Sequence, residues 1–284
     1  MGSIREYKKP SILTPILVSI EVIVECIIPF YIAKLIDHIQ NGTDMSLILK
    51  YGFMLILLAF VSLFFGAMAG KTCATASCGF AKNLRHDLFY KVQSFSFTNI
   101  DKFSTASIVT RLTTDVTNVQ NAYQMIIRMA VRAPIMLIFS MFMAFQVNSE
   151  MAVIFLAAAP ILGIGLYLIM THAHPVFEKV FKTYDKLNNV VQENLHGIRV
   201  VKSYVREDHE IEKFEKISTS IYNDFTFAEK LIAFNMPLMQ FCMYACMILI
   251  SWFGAKLIVT TGNDPVNGMS TGQLMSLVAY AMQI

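Results

Sequence analysis

Two pairs of ionisable residues sit within largely apolar stretches: Glu21 and Glu25 in one, Arg128 and Arg132 in another. Each pair is spaced i, i+4, so its two members share one face of a helix. Charges at membrane depth are costly and normally face a partner or a wet cavity. Two readings follow. In the first, these side chains form a polar patch on a translocation pathway that binds or gates cationic or amphipathic cargo. In the second, they are structural: an interhelical or intersubunit ion pair, with Arg128 reaching toward the interface. Glu21 or Glu25 is also a candidate proton carrier for ion-coupled transport.

Other chemistry finds little support. A phosphate loop needs Gly-x-x-x-x-Gly-Lys-Ser/Thr between a strand and a helix. The run Gly66-Ala67-Met68-Ala69-Gly70-Lys71-Thr72 is one residue short and ends an apolar stretch. Gly66 and Gly70 read better as a small-xxx-small packing face, with Lys71 at the interface, its stem in the apolar layer and its amine in water. His172 and His174 are two apart and point to different sides of a helix. His86, His196 and His209 are scattered, so no metal site is expected, nor any nucleophile–base pair. Cys26, Cys73, Cys78, Cys242 and Cys246 contain no Cys-x-x-Cys and read as buried thiols.

These residues must be carried by membrane-spanning helices. Hydrophobic residues make up 55% of the chain and charged residues 15%, too skewed for an ordinary soluble domain. Apolar stretches of spanning length are Ser11–Ile36, Ser46–Gly70, Met125–Val147, Met151–Thr171 and Leu231–Thr261. A sixth begins near Gly272 and stops at Ile284, short of the ~20 residues needed to cross. The expectation is five full spans plus a truncated sixth, in a chain that is truncated or one piece of a longer polypeptide. The 22 Phe and 18 Met suit a cavity for varied hydrophobic cargo, and equally a surface facing lipid. Pro29, Pro134, Pro160 and Pro237 fall within spans and are candidate kinks. The loops near 37–47, 146–150 and 260–273 lack Lys and Arg, whereas the N-terminal segment 1–10 and the long connections 71–128 and 177–230 carry most of them. By the positive-inside rule the N-terminus and both connections are cytosolic. The net charge of +3 therefore reports topology rather than nucleic-acid binding.

The two long connections have helical periodicity. Phe80, Leu84, Leu88, Val92 and Phe95 form one stripe, and Ile108, Leu112, Val116, Val119 and Tyr123 the returning one. Phe177, Val180, Phe181, Tyr184, Leu187, Val191, Leu195 and Ile198 form a third, and Ile211, Phe214, Ile217, Ile221 and Phe225 a fourth. Such spacing predicts amphipathic helices paired as hairpins, each arm of ~25 residues reaching roughly 35–40 Å. Four arms read as half of a helical bundle completed by a second subunit, or as a self-contained four-helix bundle. The second tip carries Val201, Tyr204 and Val205, apolar side chains that want a groove on another protein.

The run Glu193-Asn194-Leu195-His196-Gly197-Ile198-Arg199-Val200-Val201-Lys202-Ser203-Tyr204-Val205-Arg206-Glu207 resembles the second intracellular loop of ABC exporters. Asp101-Lys102-Phe103-Ser104-Thr105, followed by Arg111-Leu112-Thr113-Thr114-Asp115-Val116, resembles the first. The resemblance covers nearly the whole chain and is nearest to bacterial multidrug-type half-transporters. It implies an all-α, six-span ABC transporter type-1 transmembrane domain with a cytosolic elbow over 1–10. It also implies short coupling helices over Phe97–Thr105 and Val200–Glu207, lying parallel to the membrane in grooves of ATPase domains. Asp101, Lys102, Phe103, Val201, Lys202, Tyr204, Val205, Arg206 and Glu207 would make those contacts, with Arg111 and Asp115 as an orienting helix-face pair. The implied partners are a second transporter half, as homo- or heterodimer, ATPase domains in cis or trans, and the bilayer of the cell membrane. ATP and Mg would belong to an ATPase domain absent from this sequence, so the chain itself is expected neither to bind nor to hydrolyse nucleotide. Cargo would be amphipathic or drug-like. An ion-coupled secondary transporter using Glu21 and Glu25, and a non-transporting scaffold, are the alternatives. The long hairpins argue against the first, which predicts short loops.

Overall fold

The computed structural model describes residues 2–42, 44–96, 105–264 and 268–284. Among these residues it is built from helices. A 3-10 turn (Gly2–Tyr7) leads into α1 (Lys8–Gln40), followed by α2 (Met45–Gln93), α3 (Thr105–Val147) and α4 (Ser149–Ser203). Then come α5 (Glu207–Ala233), α6 (Asn235–Thr261) and α7 (Thr271–Gln283). Five helical stretches are long and apolar enough to cross a membrane: α1 with its leading turn, α2, α3, α4, and α5 with α6. Four of the expected spans lie inside longer helices, and the fifth, Leu231–Thr261, begins in the last residues of α5 and continues through α6.

Where helices do break or change winding, local chemistry accounts for it. Pro237 has no N–H to give the carbonyl of Ala233, and α5 ends at Ala233 with α6 starting at Asn235. In α3, Arg111–Asp115 winds as a π turn. Thr110, Thr113 and Thr117 each donate a hydroxyl hydrogen bond to the carbonyl four residues back, at 3.0, 2.8 and 2.8 Å. Such back-bonding competes with the regular ladder and distorts it locally.

The chain divides into two units, one running to Phe155 and including Leu249–Ile284, the other Leu156–Ile248. In the first, α1 packs against α2, α3 and α7. Its fully buried Val18, Val22 and Cys26 meet Ala69 of α2, with Phe65, Met68, Met136 and Phe139 around them. Small residues allow the close approach. A methyl added at Gly66 would stand 2.9 Å from a Glu21 carboxylate oxygen, and one at Gly79 would collide with the Tyr7 ring. The N-terminal turn is tied down beside that contact. Ser3 Oγ donates to Asp87 at 2.8 Å and Arg5 pairs with it at 2.6 Å. Asp87 lies on the arm beyond the apolar stretch, where the Ser3 hydrogen bond, helped by Arg5, holds its carboxyl below the usual carboxylate range. Further along, Phe80 stacks on Tyr123 at 4.7 Å, and the Tyr123 hydroxyl donates to Ser11 at 2.8 Å.

The last helix is docked by α1. The Asp37 carboxylate accepts from Ser270 Oγ at 2.7 Å and from the Gly272 N–H at 2.9 Å, at the N-terminus of α7. Ser270 and Gln273 cap that terminus reciprocally, and a carboxylate there is favoured by the helix dipole. A Cβ at Gly272 would collide with the Ala33 carbonyl oxygen and stand 2.6 Å from Asp37 Oδ1.

In the second unit, the lower part of α4 pairs with α5 along the stripes. Phe177 meets Phe225 edge-to-face at 5.9 Å, Lys179 pairs with Asp224 at 2.9 Å, and Lys213 with Glu193 at 3.0 Å. Val180 and Ala228 are fully buried between the arms.

Gly272→Ala should therefore push α7 off α1 at a cost of about 1–3 kcal/mol. Gly52→Ala meets nothing within 4 Å and should be neutral or gain up to roughly 1 kcal/mol of helix propensity. Thermal unfolding of the two variants in detergent, with opposite expected shifts, checks the packing.

Candidate functional site

The ionisable residues of the apolar stretches are only partly brought together. Arg132 of α3 places one guanidinium nitrogen on each glutamate of α1. Nη1 donates to Glu21 Oε1 at 2.8 Å and Nη2 to Glu25 Oε2 at 2.6 Å. Glu21 and Glu25 stand on neighbouring turns and would repel each other. The planar fork of the arginine spans both and supplies two charge-assisted hydrogen bonds. The Glu21 side chain is only 10% exposed, and its other oxygen, Oε2, is buried without a hydrogen-bond partner among the described residues. Gly66 makes room for this carboxylate. Arg128 does not join the group. It stands beside Gly70, half-buried, one turn away along α3.

Two carboxylates and one guanidinium carry one net negative charge. Such a cluster can hold α1 to α3, and it can attract a cationic group if the surrounding helices open. Breaking one partner of a buried ion pair leaves an uncompensated charge, which is more damaging than removing the whole group.

The expected tip residues separate likewise. α4 continues as one helix to Ser203, and Tyr204–Arg206 turn the chain into α5. The distinct transverse helix implied over Val200–Glu207 is therefore corrected to a tight turn between two arms. The hydrogen bonds Tyr204 N–H to Val200 and Arg206 N–H to Val201 close it. Tyr204 and Val205 are 76% and 81% exposed, and Lys202 and Arg206 are exposed beside them. Val205 has φ +52°, a region that β-branched residues rarely occupy and that costs about 1–3 kcal/mol. Val201, expected among the outward residues, is half-buried with Glu207. Helical continuation puts it in register with Ile198, and both line a groove of about 350 Å³ facing Ile211 and Phe214. Asp101, Lys102 and Phe103 of the first tip lie outside the described residues. Arg111 and Asp115 are exposed at the two ends of the π turn.

Gly66–Thr72 lies wholly within α2. Its N–H groups are turned into the helix, so the run does not fit a nucleotide phosphate. Two residues of consequence carry no sequence signal of their role. Asp37 caps α7, where only the Ser270-x-x-Gln273 spacing marks the terminus. Lys34, in the last turns of α1, stacks over the Phe30 ring at 4.4 Å.

Residues 11–284 match the family model described as the ABC transporter transmembrane region. An uncharacterized ABC transporter ATP-binding protein, YfiB, of Bacillus subtilis (strain 168) is 34% identical over 269 residues, covering 95% of this chain and 46% of that protein. Rv1273c of Mycobacterium tuberculosis, with the same description, is 26% identical over 99% of this chain and 47% of its own length. An ATP-dependent lipid A-core flippase of Desulfotalea psychrophila is 23% identical over 67% of this chain. The chain belongs to the ABC transporter transmembrane family and is a multi-pass membrane protein. It spans about half the length of the curated relatives it matches.

Arg132→Met should strand both glutamates, lowering stability by about 3–5 kcal/mol. The triple variant Glu21→Met/Glu25→Met/Arg132→Met should recover most of that loss. Thermal unfolding compares the two variants. Transport by the triple variant then separates the two roles, since a purely structural cluster predicts near-normal transport and a pathway cluster predicts its loss.

Proposed function

We propose that this chain is one membrane half of an ATP-driven exporter, working with a second half and with ATPase domains that act on its hairpin tips. The observation that carries the proposal is the tip of the α4–α5 hairpin. Tyr204 and Val205 point apolar side chains into water from a strained turn. Exposure and backbone strain together suit a docking knob. The relatives support the reading, being named as ATP-binding proteins about twice the length of this chain. ATP and Mg would be held by the ATPase domains rather than by residues here.

The arms suit the transmission of force. α4 is 55 residues of unbroken helix, about 80 Å at 1.5 Å per residue. It runs from the apolar stretch to the tip, so a push at Tyr204 acts along a stiff lever. Cargo is proposed to be amphipathic, with a cationic group favoured by the net charge of the Glu21, Glu25 and Arg132 cluster. Ion-coupled transport through Glu21 or Glu25 has less support, because both carboxylates are engaged by the same guanidinium. The N-terminus and hairpins are proposed to be cytosolic, in the cell membrane, from the distribution of Lys and Arg.

Tyr204→Ala in the assembled transporter should remove an aromatic anchor worth about 2 kcal/mol of docking, roughly a 30-fold weaker engagement. Val205→Gly should relieve the positive φ yet also weaken coupling. Both should insert normally while cargo-stimulated ATP hydrolysis and transport fall. Normal coupling in both variants would point to a different contact with the ATPase domains.

Orientation is checked separately in a background free of native cysteines. Asn41→Cys and Ser149→Cys should react with an impermeant thiol reagent from outside intact cells, and Lys202→Cys only after permeabilisation. Labelling of Lys202→Cys in intact cells would invert the topology.

A further inference from the structure

At the end of α1 remote from the hairpins, a cavity of about 500 Å³ opens between α1, α2, the end of α3 and α7. It is lined by Phe30, Lys34, Asp37 and His38 of α1, Asn41 just after it, Tyr51 of α2 and Gln146 of α3, among others. We propose that this cavity is a binding site for an anionic phosphate group, with Lys34 as its cation.

Lys34 lies just inside the apolar stretch ending at Ile36, where a charge calls for a partner. Among the described residues its amine enters no ion pair, and its contacts are the rings of Phe30 and Tyr31 at 4.4 and 5.9 Å. The nearby carboxylate is committed elsewhere. Both Asp37 oxygens accept hydrogen bonds from Ser270 and Gly272 at the positive end of α7. Asp37 keeps its charge, but its oxygens are engaged by α7 and make no ion pair with Lys34 among the described residues, so the amine's donors stay open to a ligand. It is exposed to the cavity, so a ligand can reach it. The cation–π contact fixes the side chain without consuming its hydrogen-bond donors. The remaining wall includes the side-chain amides of Asn41 and Gln146, the Tyr51 hydroxyl and the His38 imidazole, whose ring lies 5.1 Å from that of Tyr51. With the Asp37 carboxylate held on the α7 terminus, the lysine amine, the neutral donors and the apolar flank suit a phosphate monoanion attached to an apolar or polyol body. Two sources share that chemistry: a phospholipid head group of the outer leaflet and a soluble phosphate ester.

The test uses the assembled protein in phosphatidylcholine nanodiscs. The rate at which an amine-reactive ester modifies Lys34 is measured relative to Lys50 by mass spectrometry, in three conditions: no addition, methyl phosphate, and phosphatidylglycerol in the disc. Protection of Lys34 but not Lys50 by either phosphate supports the site, and the effective condition tells which source it takes. Affinity for that phosphate should then fall about tenfold in Lys34→Gln, as expected for losing a charge-assisted hydrogen bond, and be retained in Lys34→Arg. Equal modification of Lys34 in all three conditions overturns the site, as does equal protection of Lys50. Because the modification experiment needs no variant, a misfolded Lys34→Gln would leave that result standing.

Discussion

Helices surrounded by lipid gain little by hiding apolar side chains from one another, because the hydrocarbon is as apolar as the partner. What remains is close contact and polar links, and α1 supplies most of both in its unit. The Arg132 fork ties it to α3, Asp37 ties it to α7, and Gly66 and Gly272 let neighbouring backbones approach it. The Tyr280 hydroxyl adds another link, donating to the Cys26 carbonyl at 2.8 Å. The order of the unit follows from these few contacts.

The hairpin arms obey different physics. Beyond the apolar layer, burial of Val180, Ile221 and Ala228 is driven by water, and ion pairs such as Lys182–Glu178 decorate the exposed edges. Exposed pairs of this kind contribute little, so register along the arms rests on the stripes and on the Phe177–Phe225 contact. At the tip the stripes end, and the exposed Tyr204 and Val205 have no comparable burial to hold them. A strained turn there is stable because both arms beneath it are packed, which is the condition under which a functional site can carry strain.

Spans and arms were legible in the sequence because both depend on periodicity and length, which local composition sets. The all-α fold and the long connections rest on that, whereas the family resemblance rests on the runs Glu193–Glu207, Asp101–Thr105 and Arg111–Val116. The partner of Arg132 was not legible. Arg128 and Arg132 share type and a helix face, and only the level at which α3 packs against α1 decides which of them meets the glutamates. The tip misled for a related reason. Val201 reads as exposed when Val200–Glu207 is taken as a separate helix, but α4 keeps its winding to Ser203 and turns Val201 into the groove with Ile198. Asp37 carries no local signal at all, since its partners lie more than two hundred residues away in the chain.

The same reasoning explains why α1 shows no single polar face. Glu25 and Lys34 are nine positions apart, which at ~100° per residue places them roughly 180° from each other. Glu21 and Lys34 are separated by about 20 Å along the axis. A helix with polar groups on opposite faces at opposite depths averages out as apolar all round, the pattern of a buried helix. α1 is packed by α2, α3 and α7 over part of its surface, while Ile12, Ile16 and Ile39 stay exposed. Its two polar levels can therefore act independently, one locking α1 to α3 and the other opening on the cavity beside α7. A motion that loosens one level need not disturb the other, because no shared stripe of side chains connects them.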